Sequence, residues 1–251
     1  MTDLQARFRA FAADPAATEL DAALLVNRFL AEEIDTTVIH SRLMELVGGC
    51  DRPDAPWMYL AAEGFGGAGN DYEALDNSRL DLVLERRSGI PITLGVVLIE
   101  VARAAEGMAV GINFPGHFLV RVNGRLIDPF EMRPASEAQW QQRVGSGGGG
   151  FVEATPTMVL LRLLNNVKLH HVQRGRWDLA LDVLDCQRAV SPTDVSLAVE
   201  RSEFWLRLGA VEMVRVSLEE ALHLCGSNQQ DLAASLQRRL RRMARGDDTT
   251  H

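Results

Sequence analysis

Hydrophobic and polar residues repeat with a helical period over the first sixty residues of the chain. Residues 19–34 place leucine, alanine and isoleucine on one stripe and acidic residues on the other side, which predicts an amphipathic helix. Thr18 is the candidate N-cap of this helix. A second helix is predicted over residues 38–47, with Gly48-Gly49 as its C-terminal cap.

The middle of the chain combines a charged helix with a strongly apolar one. Asn77-Ser78 is predicted to cap a helix that runs to about Arg87, and residues 88–91 then break the helical pattern. From Ile92 to about Glu106 the residues are apolar nearly all round, which predicts a central, buried helix.

From Val110 the period of the pattern changes to two, which is typical of strands. Asn123-Gly124 is a strong signal for a two-residue hairpin turn, and such a turn fixes the register of its strands. That register makes His117 and Asp128 diagonal neighbours on one face, roughly 7–8 Å apart at the backbone. An imidazole held by a carboxylate is half of a nucleophilic triad. A hydrogen-bonded wall histidine and an aspartate that starts a turn before proline remain the alternative interpretation.

Two glycine-rich stretches interrupt these elements. Residues 64–71 superficially match a dinucleotide-binding fingerprint, but no strand precedes them and no helix opens at their last glycine, so they are predicted to be a loop. Residues 146–150 are predicted to be a flexible surface loop or linker.

Helical periodicity resumes at Thr157, and a weak internal repeat follows. Residues 175–184 can be laid over residues 209–218 with an offset of 34, the period of a tetratricopeptide helix pair, and Pro192 falls where the first pair should turn. Such a unit is an interaction or packing scaffold without chemistry of its own. We therefore expect two domains, over residues 1–155 and 156–251.

Composition and charge narrow the function classes. The chain has 251 residues, 47% of them hydrophobic and 24% charged, with a net charge of −8. The excess of acid lies in the first 160 residues, which argues against a phosphate-neutralising nucleic-acid surface. The arginine cluster over residues 238–242 is interpreted as the solvated face of a last helix. No apolar run approaches the roughly 20 residues of a membrane span, and no signal pattern opens the chain, so we expect a cytoplasmic location.

Cysteine and histidine usage predicts neither a disulfide framework nor a metal site. Cys50, Cys186 and Cys225 are far apart and form no C-x-x-C pair. The adjacent His170 and His171 would point about 100° apart on a helix. We expect no metal ion and no organic cofactor.

Three segments together resemble the SirB-type branch of the transglutaminase-like superfamily. They are NSRLDLVLERRSGIPITL at residues 77–94, NFPGHFLVR at residues 113–121 and IDPF at residues 127–130. The resemblance covers roughly residues 20 to 225. It implies an α+β fold with a transglutaminase-like, papain-like core, N-terminal helices and a C-terminal tetratricopeptide-like tail. It also implies a cysteine nucleophile at a helix N-terminus, with His117 and Asp128 as its histidine and aspartate.

The chain departs from this pattern at the nucleophile. Pro91 stands where related members carry cysteine, and Thr93 matches the serine that accompanies that cysteine. Proline suits a first helical turn but has no nucleophilic side chain. Cys50 follows a predicted helix end, where the helix dipole disfavours a thiolate, so it is interpreted as structural.

From this departure we expect a non-catalytic, transglutaminase-like protein. Its pocket and helical tail would bind a protein or peptide partner in a regulatory or scaffold role. The alternative is a hydrolase or transferase that uses His117 and Asp128 as a general base without cysteine. A third hypothesis gives the function to the repeat pair alone, with the core as a stable platform. The candidate binding residues are Arg87, Thr93, Asn113 and Asn77.

Overall fold

The computed structural model describes residues 2–31, 33–144 and 150–245. The linker predicted over residues 146–150 lies outside these ranges except for Gly150. The chain divides into two compact units: Phe11–Asn166 forms one, and the first ten residues join the chain from Val167 onward in the other. The predicted boundary after residue 155 falls at the start of a helix, while the division between units falls within that helix; the boundary stays a prediction.

The described residues form α-helices joined by short loops. Seven precede or flank the sheet: α1 (Thr2–Ala13), α2 (Glu19–Leu30), α3 (Thr36–Gly49), α4 (Pro56–Ala62), α5 (Leu80–Arg86), α6 (Pro91–Ala104) and α7 (Glu137–Val144). Five follow it: α8 (Pro156–Gln173), α9 (Trp177–Val190), α10 (Val195–Arg207), α11 (Val211–Leu224) and α12 (Gln230–Arg245). Within the described ranges, no helix is long and apolar enough to span a bilayer.

The strands form one five-stranded sheet and one short two-stranded parallel sheet. The strands are β1 (Gly66–Gly67), β2 (Ser88–Gly89), β3 (Ala109–Phe114), β4 (His117–Val122), β5 (Arg125–Asp128), β6 (Arg133–Pro134) and β7 (Val152–Glu153). The sheet has the order β6-β5-β4-β3-β7, and its paired strands are antiparallel. Helices and an antiparallel sheet in separate stretches of the chain make this an α+β protein, as predicted.

Helix α6 is the central buried helix that the apolar pattern predicts. Eleven of its residues are buried, from Pro91 to Ala102. It packs on the sheet where its glycine, Gly95, meets the ring of Phe118: a Cβ at Gly95 would lie 2.7 Å from two ring atoms. The absence of a side chain at this position lets helix and strand approach closely.

The helices of the second unit repeat along the chain. Helices α9 and α11 both begin two residues after a glycine with a left-handed backbone, Gly175 (φ 66°) and Gly209 (φ 72°). Both helices begin and end with an offset of 34 residues, and Pro192 lies in the turn between α9 and α10 as predicted. The C-terminal region is therefore a helical array built from similar pairs.

Helix boundaries differ from the predictions in three places. The first amphipathic helix ends at Leu30 rather than near residue 34, because Ala31 is already extended (φ −152°). Helix α3 begins at Thr36, capped by Asp35, and continues through Gly49 instead of ending before it. The predicted cap by Asn77 or Ser78 is wrong: these residues lie in a 3₁₀ turn, and the first N–H of α5, that of Leu80, donates to the side chain of Asn27 instead.

The predicted glycine-rich loop and the predicted period-two stretch each contain more strands than expected. The glycine-rich loop includes β1, which pairs in parallel with β2 next to the start of α6. The period-two stretch is two strands rather than one, because Pro115-Gly116 makes a tight turn with Gly116 at φ 72° and brings Phe114 opposite His117.

Candidate functional site

The β4–β5 hairpin carries the two residues singled out as a histidine–aspartate pair. Asn123 (φ 48°) and Gly124 (φ 80°) both adopt the left-handed conformation of a primed turn, as their sequence predicts. The observed pairing joins Val122 to Arg125, and the predicted register is therefore confirmed.

His117 and Asp128 meet as this register implies. His117 Nε2 lies 3.0 Å from Asp128 Oδ1, which also accepts the Phe130 N–H at 2.9 Å. A carboxylate only accepts, so in the neutral form of the imidazole the proton lies on Nε2 and the lone pair on Nδ1. Among the described residues no side chain or backbone group hydrogen-bonds to Nδ1. The two side chains are 18% and 12% exposed, so the pair is shielded but reachable.

Trp140 of α7 covers one face of this imidazole. Its ring centroid lies 4.5 Å from that of His117 with an interplanar angle of 31°. Phe114 meets the indole edge-on at 5.2 Å, and Trp140 itself is buried. The stacked indole holds the imidazole in place from a third element. Nothing in the local sequence links Trp140 to His117.

A cavity of about 360 Å³ opens beside the pair. Asp128 and Trp140, which both contact the imidazole of His117, line this cavity. It offers the hydroxyl of Ser136 and the guanidinium groups of Arg133 and Arg143. Its lining residues are Asp128, Arg133, Pro134, Ala135, Ser136, Gln139, Trp140 and Arg143. The cavity therefore combines an aromatic wall with cationic groups, and the sequence carried no signal for Ser136 or the arginines.

Pro91 occupies the first position of α6; its correspondence with a cysteine nucleophile stays a prediction. Pro91 is buried. Successive residues of a strand point to opposite faces of the sheet. Because α6 packs on the face of Phe118, the imidazole of His117 projects from the other face, together with Leu119 and the covering Trp140. Within the described residues, no thiol or hydroxyl hydrogen-bonds to His117.

Thr93 and Asn77 serve the start of α6. Thr93 is fully buried; its hydroxyl accepts the Ile90 N–H at 3.2 Å and donates to the Asn77 carbonyl at 3.0 Å. The Asn77 amide donates to the carbonyls of Asp71 (2.6 Å) and Tyr72 (3.3 Å). These contacts anchor the loop before α5 to the helix. The predicted binding roles of both residues stay predictions.

Asn113 lies beside an arginine that the sequence analysis did not single out. Arg162 of α8 donates to the Asn113 side-chain carbonyl and, at 3.0 Å, to the Phe114 carbonyl. Burial lowers the pKa of Arg162, and the nearby Tyr72 raises it in part. Burial also raises the pKa of Tyr72. In the described part of the chain Arg162 has no carboxylate partner. Its long amphipathic helix gives no sequence signal for this role.

Arg87 stands apart from the pair. It ends α5 with a left-handed backbone (φ 54°) and donates to the Glu63 carbonyl at 2.5 Å. Its guanidinium also lies 3.2 Å from the Glu63 carboxylate, and with Tyr59 it lines a separate cavity of about 410 Å³. Across the described ranges, no group of three or more His, Cys, Asp or Glu side chains is placed to hold a metal ion.

Comparison with known proteins identifies the same region. A family model described as the transglutaminase-like superfamily matches residues 57–168. A UPF0162 protein of Xylella fastidiosa (strain 9a5c) is 34% identical over 177 residues, 64% of this chain and 63% of that protein. A UPF0162 protein of Pseudomonas aeruginosa is 32% identical over 173 residues, 61% of this chain and 60% of that protein. Human F-box only protein 21 is 27% identical over 165 residues, 58% of this chain and 26% of that protein.

The chain spans about three fifths of the length of the two bacterial relatives that it matches. No solved structure matches it significantly. The family model covers the segment that carries all three motifs on which the resemblance was based, and it confirms that resemblance. Residues 57–168, with Pro91, His117 and Asp128 among them, therefore form a transglutaminase-like domain, and the chain is similar to bacterial UPF0162 proteins.

Proposed function

We propose that this protein binds an extended segment of a protein partner in the cavity beside His117 and Asp128, without forming a covalent intermediate. It would act in the cytoplasm as a regulatory or scaffold module. The C-terminal helical array, interpreted as tetratricopeptide-like, would supply a second partner surface. The net charge of −8 supports a protein partner over nucleic acid or an anionic membrane.

The placement of α6 carries this proposal: Pro91 stands at its head, and the imidazole of His117 projects from the sheet face away from this helix, so α6 supplies no nucleophile to it. Cysteine catalysis in this superfamily needs a thiolate at the helix N-terminus, where the helix dipole lowers the thiol pKa. Pro91 closes its side chain onto its own backbone nitrogen and offers no atom that can attack a carbonyl. The first helical position tolerates proline at no structural cost, so the helix survives the loss of the nucleophile.

The cavity indicates which segment would bind. Arg143 stacks over Trp140 with its guanidinium carbon 4.1 Å from the ring centroid. Among the described residues, Arg133 pairs only with the exposed Glu131, at 3.5 Å. An arginine on an aromatic wall keeps its N–H groups available to a carboxylate. These groups favour a segment with an acidic side chain next to an apolar one.

Binding can be measured with two labelled peptides that differ only by glutamate or glutamine at the same positions. In fluorescence anisotropy, the glutamate peptide should bind more tightly, and Arg143→Gln should reduce its affinity about tenfold, the effect of one charge-assisted hydrogen bond. Arg52→Gln removes an exposed arginine far from the cavity lining and is the matched control. Equal affinity for both peptides, or equal losses in both variants, would contradict the proposal.

The absence of acyl transfer needs its own assay. The protein is incubated with a glutamine peptide and a fluorescent amine, and amine incorporation and peptide cleavage are followed together. We expect neither reaction above the rate without protein. Turnover that disappears in His117→Ala would defeat this part of the proposal.

One observation favours a second candidate, general-base catalysis. Nδ1 of His117 has no hydrogen-bond partner in the described chain, its ring is oriented by Asp128, and the adjoining cavity holds the Ser136 hydroxyl. A hydrolase of this kind should release nitrophenol from a nitrophenyl ester at a rate that His117→Ala abolishes. Ser136→Ala then distinguishes two nucleophiles. It should abolish hydrolysis if the Ser136 hydroxyl attacks the ester, and it should leave hydrolysis intact if an activated water attacks.

A further inference from the structure

A second polar cavity lies within the unit formed by the first ten residues and the C-terminal helices. Its volume is about 300 Å³, and α1, α9 and α10 contribute to its wall. The lining residues are Gln5, Arg9, Asp185, Arg188, Ala189 and Arg201. Three helices thus bring guanidinium groups together around one concave space.

Positive charge exceeds negative charge in this wall. Asp185 is the one carboxylate among the lining residues, and two arginines share a single oxygen of it. Arg188 Nη1 donates to Asp185 Oδ1 at 3.3 Å, and Arg201 Nε lies 3.2 Å from the same atom. Glu220 also pairs with Arg188 but does not line the cavity. The lining therefore carries three cations and one carboxylate, in a chain that is acidic as a whole.

Hydrogen-bond donors in the wall remain unsatisfied. The N–H of Arg201 Nε does not point at the Asp185 oxygen, and this buried atom has no hydrogen-bond partner. Arg9 makes no ion pair or hydrogen bond with any of the described residues. Arg9 and Arg201 therefore keep N–H groups that the described residues do not satisfy, and such groups can donate to an anion in the cavity.

We propose that this cavity binds a phosphate monoester group. A phosphate monoester carries a charge of about −1.5 to −2 at pH 7 and three acceptor oxygens. Converging guanidinium groups bind such an anion through paired N–H donors, and they offer more of these donors than a single carboxylate would use. The phosphate oxygens would accept from Arg9, Arg188 and the free N–H groups of Arg201. The group could belong to a phosphorylated side chain or to a small phosphate ester.

This inference is independent of the peptide cavity beside His117. Isothermal titration calorimetry of the full chain with inorganic phosphate tests it first. We expect saturable binding that acetate does not compete away. Arg9→Gln and Arg201→Gln should each weaken phosphate binding about tenfold, since each removes charge-assisted hydrogen bonds.

Arg7→Gln is the matched control, because Arg7 lies on the same helix, is exposed and pairs with Asp3 at 3.0 Å. It should leave phosphate binding unchanged. Arg9 is also exposed, so its substitution keeps the test valid should Arg201→Gln unfold the chain. A phosphoserine peptide and glycerol phosphate, titrated in parallel, distinguish the two sources by which one binds more tightly.

Three results would overturn the inference. These are no saturable binding of phosphate, complete competition by acetate, and an Arg7→Gln loss as large as that of Arg9→Gln. Equal losses in Arg7→Gln and Arg9→Gln would mean that phosphate binding depends only on the general positive charge of the region.

Discussion

Replacing Gly95 with alanine should have two opposing effects on the stability of the protein, because Gly95 lies where α6 contacts β4. Alanine is the better helix former by about 1 kcal/mol, and propensity alone therefore predicts a more stable protein. The geometry predicts the opposite. A Cβ at Gly95 would lie 2.7 Å from Phe118 Cδ1 and Cε1, where ordinary contact begins at 3.4 Å.

The ring of Phe118 has no room to move away. It is 1% exposed, and its far end lies against Gly111, where a Cβ would be 2.5 Å from Cζ. Overpacking of this kind costs about 1–3 kcal/mol. After the gain in propensity is subtracted, we expect Gly95→Ala to lower the free energy of unfolding by about 1–2 kcal/mol, measured by urea denaturation followed by circular dichroism.

Gly48→Ala is the control for propensity without a clash. Gly48 lies in the last turn of α3, and a Cβ there would meet nothing within 4 Å, so this change should be neutral or stabilise by up to about 1 kcal/mol. In a Phe118→Leu background the smaller side chain should reduce the penalty of Gly95→Ala. A Gly95→Ala protein as stable as the Gly48→Ala protein would refute the close contact of α6 with β4.

Three further predictions concern buried groups. Burial raises the pKa of Glu100 above its ordinary 4.5, so ionisation of this carboxyl destabilises the folded state as pH rises through the folded-state pKa. Glu100→Gln should therefore increase the free energy of unfolding at neutral pH, and this increase should disappear below pH 4.5. Urea titrations that give the same difference between the two proteins at both pH values would contradict it. Burial raises the pKa of Cys186 to about 12, so iodoacetamide should modify the half-buried Cys225 first in the native protein, as mass spectrometry of digests would show; faster labelling of Cys186 would disprove its burial. Trp140→Ala should cost about 3–5 kcal/mol of unfolding free energy and shift the NMR resonances of the His117 ring, and unchanged resonances would exclude the stacking.

The sequence predicts those features of the site that depend on neighbouring residues. Asn123-Gly124 sets the turn, the turn sets the register, and the register brings His117 to Asp128. Each step is determined by nearby residues. Only one register is favourable, because a shift of one residue would turn every apolar side chain of the strand to the wrong face of the sheet. The buried central helix follows in the same way from its all-round apolar composition.

Contacts between distant segments could not be predicted. Trp140 reaches His117 from a helix beyond the hairpin, and no periodicity records which aromatic residue will cover which ring. The wrong cap at Asn77 has the same origin. Its amide is a plausible local cap, but it donates instead to the loop carbonyls of Asp71 and Tyr72, while its own carbonyl accepts from Thr93. Tertiary hydrogen bonds override local preference where a buried loop must satisfy its backbone.

Arg162 shows the same limit on the functional side. The sequence pattern predicts only a polar residue of a long helix at this position. In the structure, its guanidinium donates to the Asn113 side chain and to the Phe114 carbonyl. Only the packing of α8 against the sheet reveals that role. The family motifs cover the strands and the start of α6, and they leave the residues that surround them to be found in three dimensions.

The segment proposed to bind beside His117 should leave chemically unchanged, since Pro91 offers no attacking atom and α6 packs on the other face of the sheet. The most direct measurement is the intact mass of the protein and of a bound glutamine peptide after prolonged incubation at saturation. We expect both masses to return unaltered. An acyl adduct on any side chain of the transglutaminase-like domain, or loss of ammonia from the peptide, would contradict it.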